Sequence, residues 1–184
     1  MIYVLLPSTP QRENRLRITV ESLKRSACDE KIEIITEISE GEGAVKPVHR
    51  MLKDIDGLVV GIGDDTLVDP NTIQELYKAY IREFPNNDGV CAPIEKDCVF
   101  LTHSDMMKKY WYPGYFHLFV DREFFEIMYQ KGKLYRVASA KAQHMHHSYG
   151  GMQNLNDETY AIAEAHREAD GQLFVERMAR NFDL

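Results

Sequence analysis

Long apolar runs are missing from this sequence of 184 residues. The opening run, Ile2 to Leu6, has five residues and no basic segment before it. A membrane-spanning helix needs about 20 apolar residues, and a signal peptide carries a basic segment ahead of a longer apolar stretch. We therefore expect neither a signal peptide nor a membrane span, and the sequence predicts a cytoplasmic protein.

Cysteine is scarce as well. The three cysteines, Cys28, Cys91 and Cys98, are odd in number and contain no CxxC pair. A disulfide framework needs an even set, and a structural zinc site needs closely spaced ligand pairs. The sequence thus predicts ordinary buried or subsurface thiols.

Basic residues are outnumbered by acidic ones. Lys and Arg total 22 against 29 Asp and Glu, a formal charge of -7. Binding to the DNA backbone depends on many basic contacts, so this balance makes nucleic acid an unlikely partner. A chain of this length can form one domain with a sizeable core and is too short for two, so we expect one.

Two glycine-rich phosphate-binding motifs are also absent. Residues 41–46 read Gly-Glu-Gly-Ala-Val-Lys and lack the Gly-Lys-Ser/Thr that binds phosphate and magnesium in a P-loop. There is no GxGxxG, so a dinucleotide-binding site is unsupported, and a P-loop NTPase is excluded. Lys46 has two alternative roles: it contacts a ligand, or, as is more common for lysine, it is exposed to solvent.

Strands and helices alternate in the first half of the chain. Apolar, β-branched runs and proline or glycine boundaries predict strands over 2–6, 32–38, 58–62 and 89–94. Helices are predicted after Pro10, over 44–54, and from an Asp69-Pro70 cap to Pro85. This alternation indicates an α/β fold with a mostly parallel central sheet flanked by helices.

The second half is less regular. We expect a strand over 116–120, a short helix from Glu123 and extended structure over 134–146. From Asp157 to Met178 the chain is predicted to be helical, with an interruption at Asp170-Gly171.

Two adjacent carboxylates, Asp64 and Asp65, follow the predicted strand 58–62. Ligands of open α/β sheets bind outside the carboxyl ends of the strands, and carboxylate oxygens suit hard divalent cations. Turn formation is the alternative role of such a pair. Asp69 is predicted to cap the following helix, so neither Asp64 nor Asp65 is needed as its cap. The pair therefore predicts a metal-assisted reaction at phosphate.

Histidines supply a second group of candidate ligands. In extended structure His144 and His146 share a face, and an imidazole facing two carboxylates would complete a site for an ion such as manganese. A surface histidine run is the alternative. Arg12, on a loop that enters a helix, is a candidate to pair with a phosphate or a base edge, or else a solvated arginine.

Two acids are candidates for a general base. Asp121 ends the predicted strand 116–120, and Asp157 precedes a predicted helix after Gly150-Gly151. Each has a structural alternative, because aspartate is a common residue at the start of a helix.

These motifs together resemble the GT-A fold of nucleotide-sugar glycosyltransferases, most closely family 2. The resemblance covers roughly residues 1–150 and depends on Thr9-Pro10-x-Arg12, the helix from Gly43 to Leu52, and Gly63-Asp64-Asp65 in the place of the family's DxD motif. Gly63 stands where the family has its first acid. The implied architecture is a single GT-A-like (Rossmann-like) domain over 1–184, with a nucleotide-binding half (1–95), an acceptor and metal-completing half (96–150) and a C-terminal helical segment (151–184).

The resemblance also implies roles for particular residues. The metal ligands would be Asp65, Asp64 and His144 or His146, and the base would be Asp121 or Asp157. Nucleotide-binding positions would be Pro7, Thr9, Arg12, Glu37, Lys46 and Asp64.

The implied activity is transfer of a sugar from a nucleotide-diphosphate donor, a UDP- or GDP-sugar, to an acceptor hydroxyl. It would depend on Mn²⁺ or Mg²⁺ and invert the anomeric configuration. The alternatives are a nucleotidyltransferase and a non-catalytic nucleotide-sugar binding domain.

Overall fold

A computed structural model describes residues 1–94, 98–145 and 158–184. The strands are β1 Ile2–Ser8, β2 Ile32–Ile38, β3 Leu58–Ile62, β4 Thr66–Val68, β5 Val90–Pro93, β6 Val99–His103, β7 Leu134–Val137 and β8 Ala142–His144. The α-helices are α1 Glu13–Lys24, α2 Val45–Leu52, α3 Thr72–Glu83, α4 Ser104–Tyr110, α5 Val120–Gln130, α6 Glu158–Ala165 and α7 Arg167–Ala179. Short 3₁₀ helices cover Pro10–Arg12 and Asn181–Asp183.

Six strands form the central sheet in the order β2-β1-β3-β6-β5-β7. β1 pairs in parallel with β2 and β3, and β5 pairs in parallel with β7. β6 runs antiparallel to β5, because it follows that strand after a connection too short for a parallel crossover, and it also runs antiparallel to β3. The predicted α/β fold with a mostly parallel central sheet flanked by helices is confirmed.

Two apolar clusters cover the two faces of the sheet. One contains side chains of α2, α4, α5 and α7, and the other contains side chains of α1 and α3. β1 contributes to both, since Leu5 joins the first cluster while Val4 and Leu6 join the second. This alternation follows from strand geometry and explains why the run 2–6 has no polar position.

A two-stranded ribbon of β4 and β8 stands apart from the central sheet. Its antiparallel register sets Thr66 opposite His144 and Val68 opposite Ala142. β4 was not predicted, because three residues carry too little periodicity. It begins directly after Asp65, so the ribbon brings His144 beside the acids.

The predicted strand over 116–120 is wrong. The backbone N–H groups of Phe116, His117 and Leu118 donate to the carboxylate of Asp170, at 2.8–2.9 Å, instead of to a neighbouring strand. Phe119 has a left-handed φ of 67°, and α5 begins at Val120 instead of Glu123. Residues 116–119 are a loop, and Asp170 of α7 accepts from three of its backbone N–H groups.

Two predicted helix boundaries are also corrected. The C-terminal helical region breaks at His166, and Asp170 and Gly171 lie inside α7. α3 begins at Thr72, where the backbone carbonyl of Asp69 accepts from the Thr72 N–H (3.0 Å), so the Asp69 side chain is not its cap. In the described part of the chain, every helix is too short or too polar to cross a bilayer.

Candidate functional site

Asp64 and Asp65 lie just beyond the carboxyl end of β3, and each is only 4% exposed. β1 ends at the same edge, because the two strands are parallel. Gly63 precedes the acids, and a Cβ added there would lie 3.0 Å from the Asp65 carboxylate. The close approach explains why a glycine fits where the related motif has an acid.

Asp64 is held by groups from β1, the 3₁₀ helix and α1. The Ser8 hydroxyl donates to its carboxylate at 2.6 Å, and the Arg12 guanidinium pairs with the other oxygen. The Thr19 hydroxyl donates to its backbone carbonyl at 2.8 Å. Asp64 is therefore fixed by the amino-terminal region of the fold.

Asp65 is held by groups from three other places. The Arg12 guanidinium donates to it at 3.2 Å, the Tyr160 hydroxyl of α6 donates to the same oxygen, and His144 Nε2 lies 2.9 Å from the other. Burial alone would raise the pKa of Asp65, but His144, Arg12 and Tyr160 outweigh it and hold that pKa well below its usual range. Asp65 is ionised at neutral pH.

Arg12 resolves the repulsion between the two carboxylates. Its guanidinium is 6% exposed and bridges both acids. The interpretation of Arg12 as a solvated arginine is wrong, and the predicted pairing with a phosphate stays a prediction. We call Ser8, Arg12, Asp64, Asp65, His144 and Tyr160 the acidic site.

Asp65 and His144 fit a divalent metal. Their ligand atoms are 2.9 Å apart, close to the separation of about 3 Å between neighbouring ligands of an octahedral ion with bonds of about 2.1 Å. A carboxylate oxygen and an imidazole nitrogen are donors that manganese accepts. Asp64 directs its oxygens to Ser8 and Arg12, and His146 lies outside the described residues.

Three predicted nucleotide-binding residues lie at the ends of β1 and β2. Pro7 is opposite Glu37 in the strand register. Glu37 forms an ion pair of 2.5 Å with Arg50, on the exposed end of α2. The Thr9 hydroxyl lies 2.9 Å from that of Thr159 in α6. The fold brings all three to the edge that carries the acidic site.

The other predicted positions are less well defined. Lys46 is exposed in the first turn of α2. Asp121 lies in the first turn of α5, not at the end of a strand, and its carboxylate accepts from the Arg122 N–H at 2.8 Å. Asp157 lies outside the described residues.

Sequence reasoning missed Tyr160 as a site residue, and it missed the electrostatic influence of the site on His117. Tyr160 donates a hydrogen bond to Asp65, which lies 95 positions away in the sequence, and no local pattern indicates such a contact. The pKa of His117 is lowered to about 4 by burial and by the Arg12 guanidinium, while the Asp65 and Asp170 carboxylates oppose the shift. The side chain is therefore a neutral imidazole at physiological pH.

A second group of possible metal ligands lies at the opposite edge of the sheet. Ligand atoms of Asp56, His103 and Asp105 are within 4.8 Å of one another. His103 pairs with Leu58 at the start of β3, far along the strand from the acids. Its Nδ1 accepts the Asp105 N–H at 3.3 Å, so this group caps α4.

A cavity of about 360 Å³ lies among α4, α5 and the end of α7. Trp111, Glu123 and Arg177 are among its lining residues, and none of them belongs to the acidic site. Glu123 and Arg177 pair with each other at 2.8 Å. The Glu123–Arg177 ion pair therefore forms part of the wall of this cavity, on the face of the sheet covered by α5.

The mostly parallel sheet, covered on both faces and carrying paired acids at the end of its third strand, has the GT-A-like glycosyltransferase fold. Solved structures confirm this. TarS of S. aureus superposes with a TM-score of 0.57 at 12% identity over 75% of this chain and 35% of its own. Residues 1–349 of TarS in complex with UDP superpose with a TM-score of 0.57 at 12% identity, over 76% of this chain and 58% of that one.

The mannosyltransferase PcManGT of Pyrobaculum calidifontis, in complex with GDP-Man and Mn²⁺, gives a TM-score of 0.55 at 9% identity, over 75% of this chain and 55% of its own. The chain thus spans between about a third and three fifths of the length of these structures. Neither a protein-family model nor a curated protein sequence matches it.

Proposed function

We propose that this protein transfers a sugar from a nucleoside-diphosphate donor to an acceptor hydroxyl, with a divalent metal and with inversion. The observation that carries the proposal is the 2.9 Å approach of Asp65 and His144 at the carboxyl edge of the sheet. This is the edge at which open α/β sheets bind their ligands. Two solved relatives of the same fold are complexes with UDP and with GDP-Man and Mn²⁺, which supports a UDP- or GDP-sugar as donor.

In this proposal Asp65 and His144 hold the metal, with Asp64 or His146 as further ligands. When bound, a divalent ion neutralises charge that develops on the departing diphosphate. Arg12, which contacts both acids, would offer a second positive charge to the same group.

The nucleotide would lie against the ends of β1 and β2, with Pro7, Thr9, Arg12, Glu37, Lys46 and Asp64 as its contacts. An acid, Asp121 or Asp157, would take the acceptor proton as the hydroxyl oxygen attacks the anomeric carbon. One displacement of this kind inverts the anomeric centre. Asp121 lies in the first turn of α5, directly after the loop 116–119.

The test is a screen of UDP- and GDP-sugars for release of the nucleoside diphosphate, with Mn²⁺ and with chelator. We expect Mn²⁺-dependent release, reduced about 100-fold or more by Asp65→Asn and left unchanged by Asp54→Asn, an exposed aspartate elsewhere. Binding of UDP or GDP without release from any donor would contradict the transferase and favour a non-catalytic nucleotide-sugar binding domain.

A further inference from the structure

The acids of the acidic site are closed off by the protein itself. Both Asp64 oxygens accept from Ser8 or Arg12, and the Asp65 oxygens are engaged by His144, Arg12 and Tyr160. With each acid 4% exposed, a hydrated ion and a diphosphate reach Asp65 only after one of these groups has moved. The group whose displacement costs the least free energy is expected to move first.

Most of the groups around Asp65 are firmly anchored. His144 belongs to the ribbon with β4, and the Met145 N–H donates to the Asp65 carbonyl at 2.7 Å. Arg12 follows β1 directly and is itself buried. Moving any of these would break strand pairing or expose buried charge.

α6, which carries Tyr160, is anchored much less. Ala163 is its one buried side chain among the described residues, whereas α7 buries Asp170, Phe174 and Arg177. Elements with few buried apolar contacts open at the lowest free energy. The helical break at His166 separates α6 from α7, so α6 can move while α7 keeps its packing.

Polar contacts hold α6 against the site. Besides the bond from Tyr160 to Asp65, the hydroxyls of Thr159 and Thr9 lie 2.9 Å apart. The guanidinium carbons of Arg12 and Arg15 lie 4.4 and 5.1 Å from the centre of the Tyr160 ring. Such contacts exchange readily with water or with a ligand, since their net contribution is small.

We propose that α6 is an autoinhibitory latch, in which the Tyr160 hydroxyl and the divalent metal compete for Asp65. The inference rests on the proposed function. In the closed state the Tyr160 hydroxyl bonds the Asp65 oxygen that also receives Arg12, which draws negative charge from the carboxylate whose other oxygen faces His144 and holds α6 over the site. α6 swings out about His166 when the metal binds. The latch keeps the acids paired and protected from water until the ligand arrives.

The first test measures Mn²⁺ binding by the free-ion signal in electron paramagnetic resonance, without nucleotide. Tyr160→Phe keeps the ring over the arginines and removes the competing hydroxyl, so we expect Mn²⁺ to bind about tenfold tighter than to wild type. Tyr129→Phe alters a tyrosine that is 71% exposed and is the matched control.

An affinity for Tyr160→Phe that equals or falls below that of wild type overturns the latch and leaves the proposed function standing. Mn²⁺ binding by neither protein, even with UDP or GDP added, overturns the metal-dependent function and the latch with it.

The second test locks the latch with a disulfide between Thr9→Cys and Thr159→Cys, whose native hydroxyl oxygens are 2.9 Å apart. In the fraction shown by mass spectrometry to carry this bridge, we expect Mn²⁺ binding at least tenfold weaker, restored by reduction. Wild type under the same oxidation controls for Cys28, Cys91 and Cys98. Equal Mn²⁺ binding by the bridged and reduced forms overturns the latch.

Discussion

One guanidinium makes two buried carboxylates compatible at neighbouring positions. Arg12 stands between Asp64 and Asp65, which reduces the repulsion that ionised neighbours would otherwise suffer at 4% exposure. The sequence predicted both acids, which follow a recognisable strand, and either His144 or His146 as their partner. For Arg12 the sequence left two roles open, pairing with a ligand or exposure to solvent, because its partners Asp64 and Asp65 lie 52 and 53 positions away.

Asp65 should make stability depend on pH. Its folded-state pKa is depressed, so its contribution to folding is fully present above the unfolded value near 3.8 and is lost progressively as the pH falls from that value through the much lower folded-state pKa. We expect Asp65→Asn to lower the free energy of unfolding by about 2 kcal/mol at pH 7 and by a somewhat smaller amount at pH 3, because pH 3 lies only just below the unfolded-state pKa. Urea unfolding at both pH values measures this difference. Asp54→Asn is the control, and equal stability of Asp65→Asn and wild type at pH 7 would contradict the prediction.

Elements whose pattern is local were predicted well. β2 and β3 have the bounds expected from their apolar runs. The loop at 116–119 was predicted wrongly because its backbone is held by Asp170, more than 50 positions further along the chain, and an alternating pattern cannot reveal that partner. The position of α2 depends on the same loop, since the Val45 N–H donates to the Phe116 carbonyl at 3.5 Å and Gly43, just before α2, has no room for a Cβ beside that carbonyl.

Two glycines in that entrance provide a matched test of this contact. Gly41 and Gly43 both have left-handed φ angles, of 73° and 70°. A Cβ at Gly41 meets nothing within 4 Å, whereas one at Gly43 would lie 2.0 Å from the Phe116 carbonyl oxygen. We expect Gly41→Ala to cost about 1 kcal/mol of stability and Gly43→Ala about 2 kcal/mol more. Thermal and urea unfolding compare the two, and equal costs would show that α2 does not depend on the loop.

At the scale of the whole molecule, a buried ion pair connects α7 to the face of the sheet covered by α5. Glu123 is fully buried and receives Arg177 in a two-pronged pair, while the Tyr115 hydroxyl donates to it at 2.7 Å. Sequence patterns predicted the alternation of the first half and the parallel sheet. They did not reveal β6, β4 or this pair, because each depends on pairing between distant segments.

Removing one partner of that pair should lower the free energy of unfolding of the whole molecule. Arg177→Met leaves the Glu123 carboxylate buried without its cation, and we expect a loss of about 3 kcal/mol in the free energy of unfolding. Arg180→Met, which alters a side chain 59% exposed, should stay within about 0.5 kcal/mol of wild type. The single tryptophan, Trp111, is 8% exposed and reports unfolding by fluorescence. Similar losses in the two variants would contradict a structural role for the pair.

The ribbon of β4 and β8 fixes the spacing of two residues that we propose as metal ligands. Because Thr66 pairs with His144, the gap of 2.9 Å between His144 and Asp65 is set by a strand ladder and does not depend on the position of α6. An octahedral ion with bonds of about 2.1 Å matches this gap. In the proposed metal site the strand ladder would therefore hold two ligands at their working separation before any ion binds.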